Sequence, residues 1–563
     1  MRNTIFHFAC LLALASCSSQ VEQWRVMEIP FHSHTDYNAT GADEVRMDLT
    51  FISHSTGDSL VVPAFWDGDS TFRVRFAPVA TGRWEWCSSC PQDASLHGLT
   101  GSFRCGKYKG SLDLYKHGFV RAEAGTKYLF HADGTPFFYL GDTHWNMYAE
   151  EFNAPGPHAE EGDTLPHFQR IIDRRVEQGF TVYQSEPIQS PFHLEDGTVD
   201  SSDIEGFRQA DRYYQYIADA GLLHANAEFF FSAHMKPTHT DSQLELLSRY
   251  WVARFGAYPV LWTLAQEIDN DFYYERGGTF YDYTNNPWVK VAEYIHRYDA
   301  YSHPLSGHQE ATCYTTITGR GTGVENRSGG GISAFASEEV AQRTGHNWWA
   351  VQWSPSLTST SGADIPSDFW TSPYPAVNYE GRYCGLWTKD FGARAQGWIS
   401  FLSGFCGYGY GACDIWLYQS TYDIHSTSFD GIDSIRPSDK QLHWPRALEY
   451  ESAGQMTILR RFLTSFDWWN LSPMLDGDSR FTPCEGTAWA GASTPERTVL
   501  YFYGNTIGTG TLRELTPNAK MSLILFNPRT GEEEPPLPVY VASDGTLSLP
   551  AKPDTADWVF TLR

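Results

Sequence analysis

Charge, and positive charge above all, is scarce in this sequence. Only 19% of its 563 residues are charged, and 41 Lys and Arg stand against 67 Asp and Glu, a formal net charge of −26. Such a chain is repelled by phosphate backbones, so no nucleic-acid partner is expected. After the first residues, no apolar stretch is long and uninterrupted enough to cross a bilayer as a helix. There is no internal repeat and no long low-complexity tract. His-Glu-x-x-His and Gly-x-Ser-x-Gly are absent, and no Gly-x-Gly-x-x-Gly follows a strand, which removes zinc proteases, serine hydrolases and dinucleotide enzymes. Gly101 to Lys107 nearly matches a P-loop, but Tyr108 replaces the Ser or Thr that would hold magnesium and no helix follows. Asp269-Asn270-Asp271 is oxygen-rich without a calcium-loop pattern. No metal and no cofactor are expected.

Aromatic residues are plentiful, at 15% with 20 Trp, which excludes disorder along the whole chain. Many rings on an acidic surface suit neutral ligands with apolar faces, sugars among them, although most rings will be core. Two of the ten cysteines, Cys10 and Cys17, lie in the N-terminal segment. Cys87-Ser-Ser-Cys90 with Cys105 reads as a local disulfide or buried thiols rather than zinc, since His97 is the only nearby fourth ligand. Arg2 followed by the apolar run Phe6 to Ala15 reads as a secretory signal. It ends in Leu14-Ala15-Ser16-Cys17, which resembles the bacterial lipobox. The expectation is a signal peptide over 1–16, lipidation at Cys17, and a mature protein tethered by lipid to the outer membrane of the bacterial cell envelope, on either face.

Three textures follow. Over 17–112 short alternating runs, such as Val45 to Phe51 and Thr71 to Phe76, are separated by Asp67-Gly68-Asp69 and Thr81-Gly82, the pattern of an antiparallel β-sandwich. Over 115–470 strands alternate with helices about eight times. Phe137 to Leu140, Phe180 to Tyr183, Leu222 to Phe231, Val260 to Leu264, Pro304-Leu-Ser, Trp348 to Trp353, Pro375 to Asn378 and Gly404 to Tyr408 read as the strands. Helical faces fall around Phe168 to Val176, Phe207 to Ala220, Gln243 to Phe255, Trp288 to Tyr298 and Phe391 to Leu402. That alternation indicates a (β/α)8 TIM barrel. Over 475–563 strands and turns return, a second small sandwich. Gly329-Gly-Gly331, inside Gly319 to Ala334, is a flexible loop of the kind that gates sites.

In such a barrel the site lies where strands end. The polar residues there are Asp142, His144 and Trp145 after the first strand, Glu186 after the second, Glu228 in the third, and Gln266 with Glu267 after the fourth. His308 follows the fifth strand, Gln352 and Trp353 the sixth, Asn378 and Glu380 the seventh. Carboxylates crowded on an aromatic rim are what glycosidic-bond hydrolysis requires: an acid to protonate the leaving oxygen and a second carboxylate opposite it. Glu267 and Glu380 form the strongest pair, facing each other after strands four and seven. Glu267 is the expected acid/base. Glu380 is the expected nucleophile, held ionised by Asn378 or Tyr383. Asp142, His144, Trp145, Glu186, Glu228, Gln266, His308, Trp353, Asn378 and Tyr383 are the expected sugar-binding set, each with a packing or ion-pair alternative.

Pro136-Phe-Phe-Tyr-Leu-Gly-Asp-Thr-His-Trp145 resembles the first-strand signature of the apiosidase-like glycoside hydrolases. Tyr258 to Trp262, Pro375-Ala-Val-Asn-Tyr-Glu380, and Gly404 to Trp416 with its Gly-Tyr-Gly-Tyr-Gly run resemble that family too. The first block resembles the Ig-like domain that often precedes this barrel. The stretch from Phe526-Asn-Pro-Arg-Thr-Gly531 through Asp557-Trp-Val resembles the sandwich that often follows, one labelled collagen-binding. The resemblance implies a central TIM barrel between two β-sandwiches, and an acid/base and a second carboxylate at the positions of Glu267 and Glu380. It implies activity on the pectin rhamnogalacturonan II, where the family hydrolyses apiosyl linkages. One motif departs: the family has Gly-Gly-Asp where this chain has Ala265-Gln266-Glu267. A Glu reaches about one methylene further than an Asp, so the reaction class carries over and the apiose specificity does not. The expected function is therefore hydrolysis of a plant cell-wall polysaccharide, retaining in stereochemistry. The rival is a non-catalytic glycan- or matrix-binding lipoprotein using the same cleft.

Overall fold

The computed structural model describes residues 21–145, 147–156, 159, 162–186, 190–194, 196–226, 239–265, 268, 287–310, 338–357, 364–385, 388–416 and 444–563. The signal segment with Cys17, the Gly329-Gly-Gly331 loop, Asp269 to Asp271, and three of the expected site residues, Glu228, Gln266 and Glu267, lie outside them.

The N-terminal unit has a five-stranded sheet (21–22, 100–106, 82–89, 48–53, 59–63) and a three-stranded one (27–32, 71–76, 65–66). Thr71–Phe76 is a strand throughout its alternating run, paired antiparallel with Met27–His32. The run from Val45 becomes a strand at Asp48. Period-2 alternation turns Phe51 of one sheet and Phe76 of the other inward, where they stack 3.8 Å apart beside Trp84 and Phe103. The C-terminal unit pairs a six-stranded sheet with a three-stranded one, around Phe502, Phe560, Leu512 and Leu523.

Between them lies a sheet of eight parallel strands: β1 (Tyr139–His144), β2 (Val182–Ser185), β3 (Leu223–Asn226), β4 (Val260–Trp262), β5 (His308–Glu310), β6 (Trp349–Gln352), β7 (Ala376–Glu380) and β8 (Gly407–Tyr410). Their order is β4-β3-β2-β1-β8-β7-β6-β5, the cyclic sequence of a TIM-like sheet. The ladder is interrupted between β4 and β5. There a parallel bridge from Trp262 to Leu305 and backbone bonds Trp262 N–Pro304 O (2.8 Å) and His308 N–Thr263 O (3.0 Å) join the two edges. The fifth strand thus begins at His308, later than Pro304-Leu-Ser suggests, because those three residues make the bridge rather than a ladder.

The helices longer than four residues among the described residues are α1 (His167–Glu177), α2 (Ile204–Asp219), α3 (Asp241–Phe255), α4 (Pro287–Tyr298), α5 (Glu338–Thr344), α6 (Asp364–Thr371), α7 (Asp390–Leu402) and α8 (Glu451–Leu463). α1 buries Phe168, Ile171, Ile172 and Arg175 on one stripe and ends at Gly179, whose φ of 82° allows the Phe180 amide to reach back to Arg175 O. α3 opens with a Thr240–Gln243 capping box. Its residues from Leu247 to Phe255, two arginines included, are all buried because the N-terminal unit covers its outer face: Arg249 pairs with Asp48 at 2.8 Å, and Tyr250 donates to Trp66 O. At the other end, α7 stacks Trp398 on Tyr501 and its Arg394 grips Asp557 with two bonds of 2.8 and 2.9 Å.

Candidate active site

The Gly-Tyr-Gly-Tyr-Gly run opens space for the site. A Cβ on Gly409 would collide with the backbone oxygen of Tyr379, and one on Gly411 would fall inside the Tyr383 ring. Only glycine lets Tyr379 of β7 and Tyr383 beyond it lie so close to β8 and the residues after it.

Glu380 ends β7 and is 3% exposed. Its Oε1 accepts the Tyr383 hydroxyl in a short hydrogen bond, and Tyr383 in turn accepts the Trp145 indole N–H at 2.8 Å. Its Oε2 lies 3.1 Å from His308 Nε2, an ion-pair distance without hydrogen-bond alignment. The other edge of that imidazole, Nδ1, is 3.6 Å from Glu186 Oε1. His308 from β5, Glu186 from the end of β2 and Glu380 from β7 thus form one cluster inside the mouth of the sheet. Burial alone would lower the His308 imidazole, but Glu186 and Glu380 outweigh it and raise it to about 10. Burial pushes the Glu186 carboxyl up to about 7 against the opposing pull of His308.

Asn378 does not touch Glu380. Its amide accepts from the Trp353 backbone N–H (3.2 Å) and donates to Ser400 of α7 (2.9 Å). The β6–β7 register shifts between Val351 and Gln352, so that Asn378 and Glu380 do not share one regular face. Of the two donors expected at Glu380, Tyr383 makes the bond. Trp145 and Trp353 are 1% and 6% exposed, one stacked on Tyr379 and the other on Phe405. Both rings here are walls of the site, with little face left for a sugar.

Asp142 and His144 belong to a second buried cluster. His144 Nε2 meets Asp142 at 2.7 Å and its Nδ1 meets Glu150 at 2.9 Å, while Asp142 also takes Arg175 Nε at 2.6 Å. Burial would raise Asp142, yet Arg175 and His144 hold it below its ordinary value. Burial would lower His144, yet Glu150 and Asp142 raise it to about 9. Nothing in the sequence pointed to Glu150 or Arg175. Arg175 looked like one more cation on an amphipathic helix, and Glu150 has no strand of its own. Because the folded His144 titrates above the ~6.5 of a free imidazole, its stabilisation is full below that pH and lost as pH rises through about 9. We expect stability to fall by on the order of 2 kcal/mol between pH 6.5 and 9.5, and less in His144→Asn. Urea unfolding across that range checks this; equal slopes for the two proteins would show a neutral ring.

β4 leads toward the expected acid/base. Leu264, buried two residues beyond the strand, has a left-handed backbone with φ of 58°. Such a conformation costs a non-glycine residue about 1–3 kcal/mol and tends to persist where a site requires it.

The eight-stranded parallel sheet, with buried carboxylates at its strand ends, is a glycoside-hydrolase-like fold, and the comparisons agree on it. Residues 123–470 match the apiosidase-like catalytic domain. The chain belongs to that family. Residues 20–91 match a domain of unknown function, DUF5060. A crystal structure of a glycoside hydrolase candidate from Bacteroides vulgatus is 15% identical over 96% of this chain and 99% of that one, with a TM-score of 0.66. A glycoside hydrolase family 5 structure from the same organism is 14% identical over 81% and 95%, with a TM-score of 0.53. A third structure, named only as a glycoside hydrolase, gives 14%, 81% and 98%, with a TM-score of 0.54. No curated protein matches the chain.

Proposed function

We propose that this protein is a glycoside hydrolase that cleaves a complex plant cell-wall polysaccharide, of the pectic kind, by a two-carboxylate retaining mechanism. The observation that carries the reading is Glu380: a buried carboxylate at the end of β7, fixed by the Tyr383 hydroxyl and facing the His308 cation. A nucleophile needs that arrangement, since a charged carboxylate aimed by fixed donors attacks the anomeric carbon without reorganising. Glu267 is the proposed acid/base, protonating the departing oxygen and then activating water. The sheet is proposed to act as a closed barrel with substrate entering over the strand ends. Asp142 and His144 are positioning residues: with Arg175 and Glu150 they lock the end of β1 and so the backbone before Trp145, which in turn holds Tyr383. The N-terminal segment is proposed to anchor the enzyme through a lipidated Cys17 in a bacterial cell envelope. Sugar release from a panel of plant and microbial polysaccharides, wild type beside Glu380→Gln, tests the hydrolase. Binding without release by the wild type would favour a glycan-binding lipoprotein.

A further inference from the structure

Glu186 differs from Asp142, Glu150 and Glu380, each of which has one bonded oxygen: both of its oxygens are buried without an aligned hydrogen-bond partner among the described residues. Its closest ion-pair contact is His308 Nδ1 at 3.6 Å, beyond hydrogen-bonding reach, while the far edge of the same ring is 3.1 Å from Glu380. Two carboxylates therefore flank one cation where side-chain exposure is between 0 and 4%. With all three groups charged, the cluster would hold one uncompensated anion away from water, which is strongly unfavourable. A single proton removes that charge, and the contacts decide where it goes. Glu380 has the Tyr383 hydroxyl and the nearer edge of the imidazole; Glu186 has, among the described residues, only the farther edge of that ring at 3.6 Å.

We propose that Glu186 works as a neutral carboxylic acid that keeps its proton throughout the reaction and donates it as a hydrogen bond to a sugar oxygen, with His308 as the positioning residue that leaves the negative charge on Glu380. The proposal rests on the reading of Glu380 as the charged catalytic carboxylate. Among the described residues, the titratable groups that act on Glu186 directly or through their fields are His308 of β5 and Glu380, Tyr379 and Tyr383 on and after β7. Of these His308 is the cation, and burial outweighs it in pushing Glu186 up to about 7. Neutral Glu186, imidazolium and carboxylate sum to zero charge. No proton leaves the cluster, so the role is distinct from that of a general acid.

Infrared difference spectra of the full chain between pH 5.5 and 8.5 give the first test, because a protonated carboxyl has its own carbonyl band. The band is expected at the acidic end, absent in Glu186→Gln, and replaced by carboxylate near neutral pH. Glu380→Gln supplies a test that leaves Glu186 in place. With the neighbouring charge gone the cluster no longer needs the extra proton, and the band should disappear at a pH lower by about one unit. A Glu186 ionised throughout, or a band indifferent to Glu380→Gln, overturns the proposal. On a polysaccharide that the wild type cleaves, Glu186→Ala should lose about 10-fold or more in kcat/KM, and Glu186→Gln, whose amide still donates, should recover most of that loss. Loss of turnover in a folded Glu186→Gln would mean that the proton is transferred, which also overturns it. The spectra need no substrate, so an inactive wild type would defeat the hydrolase reading and leave the protonation result to be judged alone.

Discussion

Replacing Glu380 by Gln is expected to lower turnover by on the order of 10⁴-fold or more while changing glycan affinity by no more than a few-fold. The substitution is nearly isosteric, and the Gln carbonyl can still accept the Tyr383 hydroxyl, so the wall formed by Tyr383 and Trp145 stays in place. What is lost is the negative charge that attacks the anomeric centre and stabilises the oxocarbenium-like transition state, an interaction stronger there than in the bound ground state. Loss should therefore fall on kcat rather than KM. Sugar release and calorimetric titration on the same polysaccharide separate the two. A small external nucleophile such as azide should restore cleavage to Glu380→Ala and leave an azido sugar of inverted configuration, because the cavity then admits the anion where the carboxylate stood. Undiminished release by Glu380→Gln would remove this residue from the chemistry.

The site was legible where chemistry sits directly at the end of a periodic run. Glu380 follows Ala376-Val-Asn-Tyr, and a strand of that length delivers its last residue to the mouth of the sheet. Glu186 and His308 were reachable by the same rule, and the structure places both carboxylates against the His308 imidazole. The rule fails where a side chain's partner comes from elsewhere in the chain. Asn378 shares its strand with Glu380, yet a register shift against β6 turns it to Ser400, and no periodicity reveals such a shift. Trp145 and Trp353 have the right residue type for sugar stacking, and the structure packs one on Tyr379 and the other on Phe405, partners that no sequence spacing reveals. The Asp142–His144–Glu150–Arg175 cluster was invisible because it joins a strand end, a short turn and the last turn of α1. For the fold, alternation located most strands and helices to within a few residues, as in Thr71–Phe76 and Asp390–Leu402. It misplaced the fifth strand, where three residues bridge rather than pair. Periodicity alone does not reveal that α3 is buried from Leu247 to Phe255, because its surface there is shared between two units.

That shared surface makes Asp211→Ala the substitution with the largest expected effect on stability, about 3–5 kcal/mol. Asp211 on α2 receives Arg75 of the N-terminal unit at 2.7 Å and Arg254 of α3 at 2.7 and 3.0 Å. The Arg254 side chain is wholly buried and that of Arg75 nearly so. Without Asp211 these two guanidiniums, which repel each other, keep only Asp67 and Glu28 as carboxylate partners. Burying a cation without its partner is what makes breaking such a cluster costly, whereas replacing the whole cluster by apolar groups need not be. Burial would raise the Asp211 carboxyl, but Arg254 and Arg75 outweigh it and hold it below its ordinary value. Its contribution is thus present above the ~3.9 of a free Asp and lost as pH falls further. Denaturant unfolding should show the full difference between wild type and Asp211→Ala at pH 7 and a smaller one near pH 3. The Arg75 and Arg254 contacts join two units, so probes in the N-terminal sheets and in the eight-stranded sheet should shift together. A transition that moved in the N-terminal sheets alone would show that the cluster holds that unit in place without stabilising the eight-stranded sheet.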